Sequence, residues 1–317
     1  MDSEQNVVAP TEERHPGTTG IDALDTLGVL RLINEEDATV AGAVARVLPD
    51  LALLVDAAVE AVRTGGSVHY VGAGTSGRLA VLDAAELRPT FNVPPGLVLA
   101  HHAGGAEALV RAVENVEDDA DRGAADLDDV TRGDVVVGLT ASGRTPYVGG
   151  ALRLARSRGA VTALVSANPD AELAALADHH LAVRTGPEVV TGSTRMKAGT
   201  AQKLVLNAFS TALMIRLGRT WSNLMVDVVA TNAKLRGRVV RILCEATDAS
   251  PDDARAALDT AGGDLKTALL TLLAGVDTDA AADALESTGG SVARALSAVG
   301  GGRSGASSRH PASRHHA

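Results

Sequence analysis

The chain has 317 residues, enough for one large or two modest domains, and is 45% hydrophobic, enough for a true core. Aromatics are only 2%, so Ala, Val and Leu must build that core. A net charge of −10 argues against nucleic acid, whose binders carry basic faces. A single cysteine, Cys244, excludes an internal disulfide and a cysteine-based metal cluster, and no apolar run reaches the ~18 residues of a membrane span.

Residues 1–17 are polar, lack the apolar core of a signal peptide and are expected to be a disordered tail, with the cytoplasm as the default location. From 18 to 62 the pattern is helical. Asp25-Thr26 caps one helix, Asn34 to Asp37 starts a second, and a third runs from Leu51 to Val62 after Pro49-Asp50 interrupts. A sheet domain is expected over 63–220. Its strands are Ser67 to Tyr70, Gly96 to Ala100, Asp134 to Leu139, Ala160 to Ser166 and a short His180 to Val183. Helical stretches alternate with them, one of them from Gly105 to about Asp119, which indicates a parallel sheet covered on both faces. A long helix follows from Lys197 to Leu217, and another from Trp221 to Leu243. Residues 221–300 are expected to be helical and end in a small repeat. Ala256 to Gly263 is echoed 27 positions later by Asp283 to Gly290, each unit reading helix, Gly-Gly cap, helix. Residues 301–317 are rich in Gly, Ser, Arg and His, and a disordered tail fits them better than a metal site.

Two turns carry the chemistry. The first strand runs into Gly72, Gly74, Thr75, Ser76, Gly77 and Arg78, then an apolar helix. A strand, a Gly/Ser/Thr turn and a helix N-terminus can cradle an anion with hydroxyls and free N–H groups. The same turn can also need glycine only for its backbone angles. Asp134 to Leu139 repeats the device: Thr140, Ser142, Gly143, Arg144 and Thr145 follow, and Pro146 opens a helix. Two such loops after parallel strands lie on one sheet edge, where α/β folds bind ligands. Arg78 and Arg144 can add charge-assisted hydrogen bonds. Dinucleotide and Walker spacings do not fit, so the pair reads as a sugar-phosphate site.

These loops resemble those of the sugar isomerase (SIS) domain. The longer strings GAGTSGRLAVLDAAE, AVENVEDD, VVVGLTASGRTPYV, GPEVVTGSTRMKAGTAQKLVLN and NLMVDVVATN resemble the N-acetylmuramic acid 6-phosphate etherase family, over roughly residues 18–300. One departure is Ala85-Glu86-Leu87-Arg88 before Pro89, where that family has Ser-Glu-Cys-Pro; the glutamate is kept. The resemblance implies an α/β fold, a parallel sheet flanked by helices in a SIS-type, flavodoxin-like sandwich, with a small C-terminal helical subdomain. Gly74, Thr75, Ser76, Ser142, Gly143, Arg144 and Thr145 would hold the phosphosugar, with Thr191 and Ser193 as secondary ligands; Ser193 or Thr194 would equally serve as a helix N-cap.

Glu86 lies near the end of the helix after the first loop, and Glu117 ends the helix after Gly105, beside Asp118 and Asp119. Helix C-termini and neighbouring carboxylates disfavour negative charge, which suits an acid or base; solvated helix ends look the same. By resemblance both are catalytic, Glu86 as proton donor and Glu117, rather than Glu114, as the second acid/base. The implied reaction removes lactate from N-acetylmuramic acid 6-phosphate with two carboxyl groups, without metal or nicotinamide. A straight helix separates Ser76 from Glu86 by ~15 Å, so the helix bends, the phosphate sits at the second loop, or another subunit completes the site. The alternatives are a phosphosugar isomerase and a non-catalytic phosphosugar sensor on the same fold. A homodimer is expected.

Overall fold

The computed structural model describes residues 9–111, 113–228 and 233–300, in two compact units. The first takes the chain through Pro89 together with Val93–Leu213; the second takes Thr90–Asn92 and the chain from Met214 onward.

The first unit opens with short 3₁₀ turns at Pro10–Glu12 and Pro16–Thr18, where the sequence predicts a disordered tail. Ala9 and Thr11 are buried, which gives this polar segment its anchor. Helix α1 then runs unbroken over Thr26–Ala45, capped by Asp25, whose carboxylate accepts the Gly28 N–H at 2.7 Å. The separate helix expected at Asn34 does not form: Asn34 to Asp37 suit a helix start but contain no breaker. Helix α2, Leu48–Arg63, carries Pro49 in its first turn, where the missing N–H costs nothing.

The sheet follows: β1 Val68–Gly72, α3 Gly74–Phe91, β2 Val98–His102, α4 Gly105–Val110, α5 Ala120–Ala125, β3 Val135–Leu139, α6 Pro146–Ser157, β4 Val161–Ser166, β5 His179–Ala182 and α7 Lys197–Arg216. All five strands are parallel, in the order β2-β1-β3-β4-β5. Val68 faces Val98 on one side and Val135 on the other. The two central strands β1 and β3 are buried along their whole length, as parallel strands covered on both faces must be. The core is aliphatic, with Tyr147 the largest side chain in a cluster of Val71, Val136, Val148, Leu152 and Leu164.

The order in which strands are added reverses between β1 and β3. The connection from β1 goes outward to β2, and that from β3 goes the other way to β4, which leaves a crevice at the strand C-termini. The two hydroxyl loops are the segments that leave β1 and β3 at that crevice.

Two helices differ from expectation. Helix α3 does not end near Glu86 but runs on through Pro89 to Phe91; so near the C-terminus Pro89 removes a single backbone bond, and the buried Leu87 and Phe91 flank it. The helix expected from Gly105 to Asp119 stops at Val110. Asn115 then takes a left-handed turn at φ 62°, and Asp119 accepts the Arg122 N–H at 2.8 Å to cap the separate helix α5.

In the second unit the predicted helix from Trp221 begins as a small hairpin, β6 Thr220–Trp221 and β7 Leu224–Met225. Trp221, Leu224 and Met225 pack on the core of this unit, which overrides their helical spacing. Helices α8 Ala233–Thr247, α9 Pro251–Thr260, α10 Leu265–Ala274, α11 Thr278–Ser287 and α12 Val292–Gly300 complete it. The predicted repeat is present. Gly263 N–H closes on the Leu258 carbonyl at 2.9 Å, and Gly290 N–H on the Leu285 carbonyl at 2.7 Å, at the same 27-residue offset. Among the described residues no single helix is long and apolar enough to cross a membrane.

Candidate active site

The first loop is built by close backbone approach. Gly77 N–H donates to the Ala73 carbonyl at 3.2 Å, and a Cβ on Gly77 would stand 2.5 Å from the Gly72 carbonyl oxygen. Only glycine at both places lets α3 start so tightly on β1. Ser76 is buried there, while Gly74 and Thr75 stay partly open. The start of α7 comes close: a Cβ on Gly199 would lie 3.4 Å from Thr75 Cγ2.

The second loop is organised by its own hydroxyls. Thr140 Oγ1 accepts the Gly143 N–H at 3.2 Å and lies 2.8 Å from Thr145 Oγ1. Ser142 Oγ accepts the Arg144 N–H at 3.3 Å, and Asn168 donates to the Ser142 carbonyl at 3.1 Å. The loop is thus held in shape before any ligand arrives.

A main-chain bond joins this loop to Glu117. Tyr147 N–H, in the first turn of α6, donates to the Glu117 carbonyl at 3.0 Å. That N–H lacks an intrahelical partner by position, and Glu117 supplies one. The Glu117 side chain is exposed. It lines a cavity of about 220 Å³ together with Gly74 of the first loop, Arg78, His102, Glu114 and Asn115. His102 Nδ1–H donates to the Ala103 carbonyl at 2.7 Å, and its Nε2 faces the Gly74 carbonyl at 3.3 Å. Glu117 thus shares a cavity with Gly74 of the first loop, and its main chain is bonded to the helix that follows the second loop, whose residues 140–145 do not line that cavity. Glu117 ends no helix, so the helix-end argument for its chemistry does not hold.

Glu86 is elsewhere in the chain. It is exposed on α3 and lines a second cavity of about 260 Å³ with Leu79, Leu82, Asp83, Lys203, Leu206 and Asn207. Asp83 is held by two donors: the Tyr70 hydroxyl to Oδ2 and the Ser210 hydroxyl to Oδ1, each at 3.0 Å. Burial pushes the Asp83 carboxyl up to about 6, against the pull of those two bonds and the Lys203 charge. Sequence reasoning passed over Asp83. Its signal was its place one turn before Glu86, on the same helix face.

Both arginines have other partners. Arg78 Nε donates to the Leu109 carbonyl at 2.9 Å and its Nη2 to the Ala108 carbonyl at 2.6 Å, closing the last turn of α4. Arg144 Nε lies 3.2 Å from Glu172 Oε1. Thr191 is exposed and Ser193 partly so, on the loop before α7. Neither Ser193 nor Thr194 caps that helix. The buried Glu188 does, accepting the Lys197 N–H and the Ala198 N–H, each at 2.9 Å. A glutamate nine residues upstream escapes any local capping pattern. Lys197, also buried, donates to Glu36 Oε2 at 2.6 Å, and this bond holds the Glu36 carboxyl below its ordinary range. In the second unit, Asp227 of the NLMVDVVATN string accepts from Arg219 at 2.9 Å and from Lys266 at 2.7 Å, so it is structurally engaged; Thr231 and Asn232 lie outside the described residues.

A parallel five-stranded sheet of order 2-1-3-4-5, with hydroxyl loops leaving β1 and β3 at the switch point, is the flavodoxin-like doubly wound architecture expected of a SIS domain. Residues 109–212 match the SIS domain family, and residues 50–156 match the family described as glucokinase regulatory protein N-terminal SIS domain. A phosphoheptose isomerase from Francisella tularensis is similar in structure, at TM-score 0.48 and 20% identity over 61% of this chain and 100% of that one. Curated relatives are much nearer in sequence. The N-acetylmuramic acid 6-phosphate etherase of Thermobifida fusca is 62% identical over 84% of this chain and 88% of its own length. Those of Rubrobacter xylanophilus and Streptomyces coelicolor are 53% and 52% identical, over 90% and 91% of this chain and 95% and 94% of theirs. The chain belongs to the N-acetylmuramic acid 6-phosphate etherase family.

Proposed function

We propose that this protein cleaves the D-lactyl ether of N-acetylmuramic acid 6-phosphate, giving N-acetylglucosamine 6-phosphate and D-lactate, as a cytoplasmic homodimer in cell-wall amino sugar recycling. The observation that carries the site reading is the bond from Tyr147 N–H to the Glu117 carbonyl, which sets one of the two glutamates against the helix start that follows the second hydroxyl loop.

Ser142, Gly143, Arg144 and Thr145 hold the phosphate at that helix start, where the loop hydroxyls and the dipole favour an anion. Gly74, Thr75 and Ser76 contact the sugar from the neighbouring loop, and Thr191 and Ser193 approach from the segment before α7. The sugar opens to its aldehyde, which acidifies the proton on C2. Glu117 removes that proton, and Glu86 protonates the ether oxygen on C3 as the C3–O bond breaks and lactate leaves. Water adds at C3 of the unsaturated aldehyde, and the ring closes. Glu86 and Glu117 line different cavities of one chain, so in this reading a second copy brings them to one substrate.

The test is direct. Purified protein incubated with N-acetylmuramic acid 6-phosphate releases lactate, read by a coupled lactate dehydrogenase assay. Conversion of phosphosugar aldose to ketose without lactate would replace this reading with an isomerase.

A further inference from the structure

The proposed reaction gives Glu86 a part and leaves Asp83 without one, although both line one cavity and Lys203 and Asn207 of α7 line it with them. Asp83 is not a loose surface acid. Tyr70, which donates to its Oδ2, lies on the central strand β1 and is wholly buried; Ser210, which donates to its Oδ1, lies on α7 and is 3% exposed. One carboxyl thus ties the middle of α3 to the sheet and to α7. The tie is strongest in the ionised form. A carboxylate accepts at both oxygens in charge-assisted bonds, whereas protonation makes one oxygen a donor, so that one hydroxyl must turn to accept and both bonds become neutral and weaker.

We propose that Asp83 is a positioning residue for Glu86: its ionised carboxylate fixes the turn of α3 that carries Glu86, and its protonation loosens that turn and lowers turnover. This rests on the role given to Glu86 above. The groups that face Asp83 are Tyr70 from β1, Ser210 and Lys203 from α7, and Glu86 from its own helix. Burial brings Asp83 to about 6, so the charge-assisted tie prevails above that pH and weakens below it. Its two hydrogen bonds favour the charged form, so removing either donor moves the titration further up.

The experiment compares wild type, Tyr70→Phe, Ser210→Ala and Asp83→Asn. One readout is the pH profile of kcat for lactate release. The other is the carbon NMR titration of the Asp83 carboxyl, assigned by its disappearance in Asp83→Asn. The wild type should show an acid limb near pH 6 that coincides with the NMR midpoint. Tyr70→Phe and Ser210→Ala should each move limb and midpoint together to higher pH by about half a unit or more. Asp83→Asn should lose the limb and turn over roughly tenfold more slowly across the range. A purely structural residue would lower the plateau without moving the limb. An NMR midpoint that moves while the kinetic limb stays put overturns the proposal, as does a wild-type midpoint below 5. Absence of lactate at every pH removes the proposed reaction and this inference with it, whereas an unmoved limb removes the inference alone.

Discussion

Glu117 is fixed through its main chain and leaves its carboxylate free, so a change of side chain there subtracts chemistry without moving the loop. Glu117→Gln should abolish both lactate release and exchange of the C2 proton with deuterated solvent, because no carbanion forms. Glu86→Gln should abolish lactate release yet keep the exchange, since the carbanion forms and collapses back. Each loss should be about 10²–10⁴-fold in kcat, read by proton NMR of the substrate in D₂O. Reversed exchange patterns would swap the two roles. The glutamates and hydroxyl loops stood out as candidates because each sits in a contiguous string that resembles the family. Asp83 and Glu188 were not, because their partners Tyr70, Ser210 and Lys197 are met only through the fold. The same holds for His101, whose Nε2 lies 3.0 Å from His69 Nδ1 across neighbouring strands. Burial, helped by the His69 charge, pushes the His101 imidazole down to about 4. Below its unfolded value of about 6.5 the unfolded chain takes up a proton that the native ring refuses. The His101 contribution to stability is therefore constant above pH 7 and falls between pH 6.5 and 4, by up to about 2 kcal/mol for this partly exposed ring, against the opposite slope of the raised Asp83 carboxyl. His101→Gln should flatten that slope in urea melts taken at stepped pH.

Among elements, the contact between α5 and α6 is the most exacting. A Cβ on Gly150 would collide with the Ala120 carbonyl, and one on Gly123 with the Tyr147 carbonyl, so the two backbones touch without side chains between them. Gly150→Ala must push α5 off α6. It should cost about 1–3 kcal/mol in urea unfolding and lower kcat as well, because the segment carrying Glu117 leads directly into α5. A variant with wild-type stability would refute the tight packing. The strand series and its parallel order were readable from buried β-branched runs alternating with helical ones. The break after Val110 was not, because Glu114 to Asp119 are compatible with a helix. What decides against one is the left-handed turn at Asn115 and the cap that Asp119 gives to α5. The hairpin before α8 was hidden for a similar reason: apolar residues at helical spacing were spent on packing.

For the molecule as a whole, α1 offers Leu27 and Leu30 at 52% and 57% exposure, apolar area that a second copy would cover. Light scattering at micromolar concentration should give twice the chain mass, and Leu30→Glu should shift it toward the monomer and cut lactate release at least tenfold. A monomer that retains full activity would refute a shared site. The Gly-Gly caps repeated in the second unit carry a consequence of another kind, in time. There each helix packs on its neighbours in the chain or on one a single helix further along, whereas the sheet must join Val68 to Val135. Local contacts close quickly and distant parallel pairings slowly. Refolding from urea should accordingly begin with a fast gain of helix in the second unit, and catalytic turnover should return only with the later phase in which β1 finds β3.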